Sequence, residues 1–155
     1  MILLSYKQIR NVNFSAALRK LGSHSGFSGK QAYHIGRIVD KALSFEKKCV
    51  YDENQIHIKY AKKNEDGSLW RPEGKPEGYY EIEEEKRADH NAEIEELMKE
   101  TVQIDKDKIL LSDLDHTGLT PAQMIALEPI IETEENNVLY LAKKDEAGEN
   151  PQPTA

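Results

Sequence analysis

The chain has 155 residues, a length that fits one domain or one domain with an extension. Leu, Ile, Val and Phe make up about 23% of it and charged residues 32%, so the predicted core is thin, as when long helices each bury one stripe. The net charge of -7 argues against general nucleic-acid binding, which needs a basic surface to release counterions from the phosphates.

The cysteine content and the hydropathy indicate the compartment. Cys49 is the single cysteine, which excludes an internal disulfide, and its apolar helical context predicts a buried thiol in a reducing compartment. The segment Met1–Leu4 is too short for a signal peptide or a membrane span, and no later apolar run is long enough. We therefore expect a protein without membrane contact that acts in the cytosol of its own cell or of a host cell.

The charge of the chain reverses across one segment rich in Gly and Pro. From Gly36 to Lys63 seven bases stand against four acids, whereas from Glu73 to Glu100 eleven acids stand against four bases. The joining segment contains Gly67, Pro72, Gly74, Pro76 and Gly78. Two helical segments of opposite charge joined by such a tip predict an antiparallel, coiled-coil-like helical hairpin with attractive flanks.

Three helix starts share one capping signal, a hydroxyl residue followed three positions later by Gln. The three pairs are Ser5 and Gln8, Ser28 and Gln31, and Thr120 and Gln123. The first predicts a helix over Tyr6–Leu21, with Val12 on its apolar face. The second predicts a helix from Lys30 to the tip, because Ile56 and Tyr60 continue its apolar stripe. The alternation within residues 56–60 leaves a strand there as the alternative.

The acidic half after the tip predicts a third helix over Ile82–Glu100, because many carboxylates in its first turns suit the positive end of a helix. Its seam contains Ile82, His90, Ile94, Leu97 and Met98. In this arrangement His90 could face His57 or Tyr60 on the other helix. A packed seam residue is the simpler interpretation of this histidine than a metal ligand.

The C-terminal third predicts a small β element closed by a helix. Val102–Asp105 and Ile109–Leu111 are expected to form two short strands around a turn. The third capping signal predicts a helix over Pro121–Glu132, which Pro129 bends or ends. Val138–Leu141 is expected to add an edge strand.

Together these elements predict an α+β fold that is mainly α. It contains an N-terminal helix, a long antiparallel helical hairpin, and a small β element with a capped C-terminal helix. We expect a single domain over residues 1–142 and a flexible tail over residues 143–155, where the composition turns polar and rich in Pro.

One segment fits a catalytic motif. Ile109–Leu111 followed by Asp113, Asp115 and Thr117 matches the apolar strand and Asp-x-Asp-x-Thr of haloacid-dehalogenase-type phosphotransferases. There the two carboxylates would be the nucleophile and the general acid/base beside Mg²⁺. That motif opens a doubly wound α/β domain, and the 38 residues after Thr117 predict no second strand–helix–strand unit. We therefore expect Asp113 and Asp115 to be cap and turn residues.

No other residue set points to catalysis, a cofactor or a metal. The five histidines lack the spacing of paired ligands, and the glycines in residues 22–29 follow a helix rather than a strand, unlike a phosphate-binding loop. Cys49 has no activating base near it in sequence. The sequence therefore predicts a protein that is not an enzyme, with no catalytic, cofactor-binding or metal-binding residue.

The tip holds the residue types that dominate protein interfaces. Trp70 and Arg71 begin its most apolar part and Tyr79 and Tyr80 end it, so these four are candidate partner-binding residues. The alternative is that Trp70 closes the hairpin by stacking on one of the tyrosines, because a small protein usually buries its single Trp.

The acidic run after the tip is the second candidate surface. Glu83, Glu84 and Glu85 are candidate partner-binding residues because a dense row of carboxylates can mimic DNA phosphates. The alternative is a solvated helix face, which is the usual role of such a run.

The order of these landmarks resembles that of small, largely uncharacterised accessory proteins of tailed bacteriophages and prophages, over residues 1–132. The resemblance rests on packing and capping positions and transfers no catalytic residue. These positions are Ala17–Leu21, Ala32–Arg37, Tyr60, Asp66-Gly67, Glu95–Met98, Val102–Ile104, Ile109, Asp113-Leu114, Leu119–Met124 and Leu127-Glu128. The longer Gly/Pro tip and the residues after Thr133 depart from the family pattern.

The resemblance implies a phage accessory protein. We expect a non-enzymatic protein-interaction module that serves virion structure or assembly, in the host cytoplasm or the virion, with a phage structural protein or a host protein as its partner. The alternative is an inhibitor of a host defence or nucleic-acid-processing enzyme that acts through the acidic face. Neither interpretation includes direct nucleic-acid binding or a membrane, and self-association stays open.

Overall fold

A computed structural model describes residues 1–133 of the chain. Helices make up 58% of them and the strands form two small sheets, which confirms the predicted α+β fold that is mainly α. In chain order the elements are β1 (Ile2–Ser5), α1 (Tyr6–Ile9), α2 (Val12–Ser23), α3 (Gly29–Tyr60), α4 (Arg87–Lys99), β2 (Thr101–Ile104), β3 (Ile109–Leu110), α5 (Pro121–Ala126) and β4 (Ile131–Glu132). Short 3₁₀ turns lie at Glu84–Lys86, Leu111–Leu114 and Glu128–Ile130.

All three predicted capping signals form capping boxes. Each hydroxyl residue accepts the backbone N–H of the Gln three positions later, and the Gln side chain accepts the N–H of the cap residue. From the second box, α3 runs without a break to Tyr60, so residues 56–60 are helix and the alternative strand there is wrong. With 32 residues and a rise of 1.5 Å per residue, α3 is about 48 Å long.

The predicted first helix, Tyr6–Leu21, is divided into α1 and α2. The side chain of Asn11 accepts the backbone N–H groups of Asn13 (2.9 Å) and Phe14 (3.4 Å), so it caps a new helix instead of continuing the old one. The break leaves Val12 79% exposed, although its spacing predicts the apolar face.

Helices α3 and α4 form the predicted antiparallel hairpin. Near the tip, His57 of α3 hydrogen-bonds His90 of α4. At the other end, the Tyr6 backbone N–H donates to the carbonyl of Glu100 (2.8 Å) and its hydroxyl donates to Asp52 (3.5 Å). The chain therefore returns along the C-terminal half of α3.

Helix α4 begins at Arg87 rather than at the predicted Ile82. Ile82 pairs with Ala61 in an antiparallel bridge, so the chain that returns from the tip is extended where a helix was expected. The bridge pairs backbone groups across the neck of the hairpin, which an α-helix cannot do because its backbone bonds are internal.

The two predicted C-terminal strands do not pair with each other. β2 pairs antiparallel with β1, from Ile2 opposite Ile104 to Ser5 opposite Thr101, whereas β3 pairs in parallel with β4. β1 was not predicted from the sequence. Pairing with β1 places Ile104 opposite Ile2, and both side chains are buried on the same face of the sheet.

The fourth helix is shorter than the predicted Pro121–Glu132. α5 ends at Ala126, and a 3₁₀ turn with Pro129 leads into β4, because proline lacks the amide that a continuing α-helix needs. The predicted edge strand Val138–Leu141, the domain boundary at residue 142 and the tail over residues 143–155 lie outside the described residues.

The core lies between the first part of α3 and the elements α1, α2, β1, β2 and β4. The fully buried residues of α3 are Ile35, Ile38, Val39, Ala42 and Cys49. From Val50 to Tyr60 none is fully buried, so the core holds the base of the hairpin and leaves the tip end at the surface. No helix in the described part of the chain is long and apolar enough to cross a membrane.

Cys49 should be unreactive while the protein is folded. The side chain is fully buried, and this burial raises the pKa of the thiol from 9.0 to about 11. The fold thus disfavours the thiolate, and the stability linked to this group is present below pH 9.0 and lost as the pH rises through about 11. We expect thiol labelling at about pH 8 to be slow and to accelerate with urea. Rapid stoichiometric labelling of the native protein would contradict the fold.

Candidate functional site

Residues 61–83, here called the arm, form a largely exposed extension at the tip of the hairpin. Lys62 lies at its centre: its N–H donates to the carbonyl of Glu81 (2.7 Å), and its carbonyl accepts the N–H of Trp70 (2.9 Å). Two antiparallel bridges flank these bonds, Ala61 with Ile82 and Lys63 with Leu69. The arm is therefore built from three short extended segments with the Lys62 segment in the middle.

A tight turn closes the first loop of the arm. The N–H of Asn64 donates to the carbonyl of Ser68 (2.8 Å), and Gly67 has a φ of 84°, in the left-handed region that favours glycine. Asp66 accepts the hydroxyl and the backbone N–H of Ser68, and these hydrogen bonds lower the pKa of its carboxyl. The turn therefore has a defined shape without a partner.

Two aromatic side chains of the arm, Trp70 and Tyr79, each lie under a lysine. Trp70 is half-buried, and the ammonium of Lys62 lies 4.3 Å from its ring centroid. This cation–π contact takes the place of the expected stack on a tyrosine. Tyr79 is also half-buried, with the ammonium of Lys75 at 5.0 Å, while Arg71 is exposed. The arm thus presents a Trp ring and a Tyr ring, each in contact with the ammonium group of one lysine.

The two lysines of this surface were not predicted as site residues. Lys62 is one of several lysines at the end of the basic half, and nothing in the local sequence distinguishes it from Lys63. The strand alternation that places the two on opposite faces is visible only once the backbone pairing is known.

A pair of histidines joins the two helices where the arm begins. Nδ1 of His57 and Nε2 of His90 are 2.8 Å apart, and the two rings stack with centroids 5.1 Å apart. Tyr80 stacks on the His57 ring (6.0 Å), and Tyr60 meets His90 edge-on (5.9 Å). The predicted contact of His90 with His57 or Tyr60 is confirmed for both residues.

The neighbours of the histidine pair fix the direction of its hydrogen bond. Oδ1 of Asn91 lies 3.2 Å from Nδ1 of His90, and since a carbonyl oxygen only accepts, His90 donates there and accepts from His57 at Nε2. Nε2 of His57 lies 3.6 Å from one carboxylate oxygen of Glu53, whose other oxygen accepts a hydrogen bond from Arg10 (2.9 Å). A continuous polar chain thus connects α1, α3 and α4.

Glu93 of α4 binds the last turn of α3. Hydrogen bonds from Tyr60 and Lys59 lower the pKa of the Glu93 carboxyl, and their bonds to Glu93 raise the pKa of both donors. Nζ of Lys59 lies 2.9 Å from the carboxylate. Within residues 1–133 this is the one ion pair that crosses from α3 to α4.

Most ion pairs of the hairpin join neighbours on the same segment or reach Arg10 and Arg19, contrary to the attractive flanks that the charge reversal predicts. Around α4 the pairs are Glu83 with Lys86 (2.8 Å), Glu84 with Arg87 (2.9 Å) and Glu96 with Lys99 (2.6 Å). Residues three apart on a helix are close enough to pair without a second helix. The hairpin is therefore joined by the histidine and tyrosine contacts more than by opposite charge.

Asp113 and Asp115 are not arranged as in a phosphotransferase. Asp113 accepts a hydrogen bond from Nε2 of Gln31 (2.8 Å), and Asp115 is exposed. The sheet that contains β3 has two strands, so the described residues do not form the doubly wound sheet that the motif requires. Nor does the described part of the chain hold a group of three or more His, Cys, Asp or Glu side chains placed for a metal ion.

The comparisons with known proteins add no relative. No protein-family model matches the chain, and neither a curated protein nor a solved structure is significantly similar to it. The case for the arm as the candidate site therefore rests on its residues and their geometry.

The histidine pair should contribute a measurable coupling to stability. In a double-mutant cycle with His57→Phe and His90→Phe, we expect a coupling energy of about 1 kcal/mol, because each single change leaves one ring nitrogen without its partner. Urea unfolding measures each free energy. His34→Phe, on the same helix but outside the pair, is the control and should not couple to His90→Phe. A coupling near zero for His57 and His90 would show that their contact does not hold the hairpin.

Trp70 should contribute less to stability than a fully buried aromatic residue. Since its ring is half-buried, we expect Trp70→Ala to lower the free energy of unfolding by about 2 kcal/mol, below the 3–5 kcal/mol typical of buried aromatics. Lys62→Met should lower the free energy of unfolding by about 0.5–1 kcal/mol in the wild type, and by much less in the Trp70→Ala variant. Lys63→Met, on the other face of the arm, is the control. A loss above about 4 kcal/mol for Trp70→Ala would instead assign Trp70 to closing the hairpin.

Proposed function

We propose that the protein is a non-enzymatic protein-interaction module of a tailed bacteriophage that serves virion assembly or structure, and that the arm is its partner-binding element. The observation that carries this proposal is that the arm bears Trp70, Arg71 and Tyr79, with Arg71 exposed and the two rings half-buried. The arm combines the three residue types most enriched in interface hot spots on a segment that is otherwise exposed.

The arm is organised for binding before a partner arrives. Its backbone is fixed by the bonds around Lys62 and by the turn at Asp66, so little chain entropy remains to be lost on binding. The lysines over Trp70 and Tyr79 can swing away on their flexible stems and expose both rings. A partner with an acidic rim and an apolar centre fits this surface, because the rim would bind Lys62, Lys75 and Arg71 while the centre covers the rings.

The phage assignment is supported by the resemblance of residues 1–132 in the order of their packing and capping positions. Virion assembly relies on small proteins that contact other proteins, which agrees with an exposed arm on a helical support. The net charge of -7 favours a protein partner over a nucleic acid, because nucleic acids are bound by basic surfaces.

A second candidate is a phage inhibitor of a host defence or nucleic-acid-processing enzyme that acts through the acidic face. Glu85, Asp89 and Glu95 favour it, because they are exposed and have no ion pair within the described residues. The pairing of Glu83, Glu84, Glu93 and Glu96 with bases weakens it, since a paired carboxylate presents less negative charge to a basic site.

The test is affinity capture of the tagged protein from cells infected by a tailed phage that encodes it, with the captured proteins identified by mass spectrometry. We expect phage structural proteins to be captured by the wild-type chain. The combined change Trp70→Ala and Arg71→Ala should reduce their capture tenfold or more, as for loss of a hot spot of at least about 2 kcal/mol. Lys63→Ala is the matched control and should leave capture unchanged.

Other outcomes would overturn the proposal. The inhibitor would be established if the wild-type chain and the arm variant both captured a host nuclease and the substitutions Glu85→Lys and Asp89→Lys abolished that capture. Magnesium-dependent hydrolysis of a phosphate ester that Asp113→Asn abolishes would establish an enzyme. Capture of phage proteins that the arm variant does not reduce would move the binding site away from the arm.

A further inference from the structure

The histidine pair at the base of the arm has room for one added proton. Nδ1 of His57 donates to Nε2 of His90 over 2.8 Å, and Nδ1 of His90 donates to Asn91. Of the four ring nitrogens, Nε2 of His57 is the one left to take up a proton while the ring contact stays intact. It lies 3.6 Å from a carboxylate oxygen of Glu53, so an N–H at this position faces an anion. A first proton therefore leaves the pair closed.

A second proton has no place in the closed pair. It would enter Nε2 of His90, the atom that accepts from His57, and two N–H groups would then face each other over 2.8 Å. Turning either ring gives no relief, because both nitrogens of a protonated imidazole are donors. His90 is also buried, with 9% of its surface exposed, so water would hydrate its charge poorly. The doubly protonated pair therefore exists only with the rings apart.

The carboxylates that face the pair are already shared with other cations. Glu53 accepts a hydrogen bond from Arg10 (2.9 Å). On α4, Glu93 faces the pair, and hydrogen bonds from Tyr60 and Lys59 hold the pKa of its carboxyl below the ordinary value. Glu93 is therefore ionised wherever imidazoles titrate, but its charge is held by Lys59 at 2.9 Å. Neither carboxylate is free to offset a second positive charge.

The arm begins at the histidine pair. Tyr80 of the arm stacks on the His57 ring (6.0 Å) and adds an aromatic surface there. A few residues further along α3, the N–H of Lys62 donates to the carbonyl of Glu81 (2.7 Å), which is the first backbone bond of the arm. Separation of the two rings therefore parts α3 from α4 at the place where this bond forms.

We propose that the contact of His57 with His90 is an acid-sensitive switch, which holds the base of the arm when at most one added proton is bound and releases it when both rings are protonated. The switch is a property of the fold and does not depend on a partner. Its use to control partner binding rests on the function proposed for the arm.

The direction of the pH effect follows from a count of protons. In the unfolded chain an imidazole has a pKa of about 6.5, and both rings take up a proton as the pH falls through this value. The closed pair takes up one proton fewer. The stability that the pair contributes is therefore present above about pH 6.5 and lost as the pH falls below it. One proton of difference changes the equilibrium constant by up to about tenfold per pH unit.

Amide hydrogen exchange of the full-length chain, corrected for the intrinsic rate, tests the switch between about pH 7.5 and about pH 5. We expect the protection factor of the Lys62 amide to fall about tenfold or more in the wild type. His90→Gln is the decisive variant, because the Gln carbonyl can accept from His57 but cannot gain a proton. Its Lys62 protection should change less than about twofold. His34→Gln, on the same helix outside the pair, is the control and should behave as the wild type.

Two measurements on the wild type need no variant. The amide of Ile130, which donates to Leu127 (2.8 Å) in another part of the structure, should stay protected at both pH values. Ring ¹⁵N chemical shifts report the protonation of each histidine, and we expect both rings to be protonated only in the molecules that have lost protection at Lys62.

The remaining outcomes overturn the proposal. Two protonated rings together with a protected Lys62 amide would show that the pair tolerates both charges. An equal loss of Lys62 protection in His90→Gln and in the wild type would assign the acid effect to other groups. Loss of protection at both Lys62 and Ile130 would show unfolding of the whole protein in place of release of the arm. These results are independent of the capture experiment, because none of them requires a partner.

Discussion

The burial of one stripe of α3 is the interaction on which the rest of the structure depends. Ile35, Ile38, Val39, Ala42 and Cys49 lie on this stripe, and α1, α2 and the sheet of β1 and β2 pack against it. A protein in which about a quarter of the residues are large and apolar cannot cover a helix about 48 Å long on all sides. The fully buried stripe therefore ends at Cys49, and beyond it Ile56 is only partly buried against the core.

Polar and aromatic contacts hold the second part of the hairpin. Arg10 at the end of α1 hydrogen-bonds Glu53 of α3, and His57 of α3 hydrogen-bonds His90 of α4, with His57 and Glu53 3.6 Å apart. Tyr60 and Tyr80 pack against the two histidine rings. Hydrogen bonds are directional, so such a seam admits fewer registers of α4 against α3 than an apolar seam would. The same seam ends where the arm begins, which fixes the base of the arm to the helices and lets its far end remain exposed.

The separation of the core from the arm relates the fold to the proposed function. The core supplies stability at one end of the hairpin, and the arm at the other end carries half-buried rings under lysines without a role in the core. Because the arm is outside the core, its side chains are free to be selected for a partner. The acidic surface of α4 and of the turn before it lies between the two regions. Glu83, Glu84 and Glu96 pair there with bases three residues away.

The sequence by itself determined the features that depend on neighbours along the chain. The three capping boxes need only a hydroxyl residue and a Gln three positions apart, and the helical stripe through Ile56 and Tyr60 is a repeat within one helix. The contact of His90 with His57 and Tyr60 was predictable because the apolar stripes of two helices joined by one tip face each other. These predictions held because local hydrogen bonds and periodicity do not require knowledge of any distant residue.

Only the tertiary structure decided the features that depend on distant partners. β2 pairs with β1, which lies about a hundred residues earlier in the sequence. Whether a carboxylate of α4 pairs with a base on the same helix or with one on α3 depends on distances in the folded chain, which the sequence spacing does not give. The position of Trp70 under Lys62 likewise follows from backbone pairing within the arm. A strand, an ion pair or a ring contact forms where burial and geometry favour it over its competitors, and those competitors are brought together only by the folded chain.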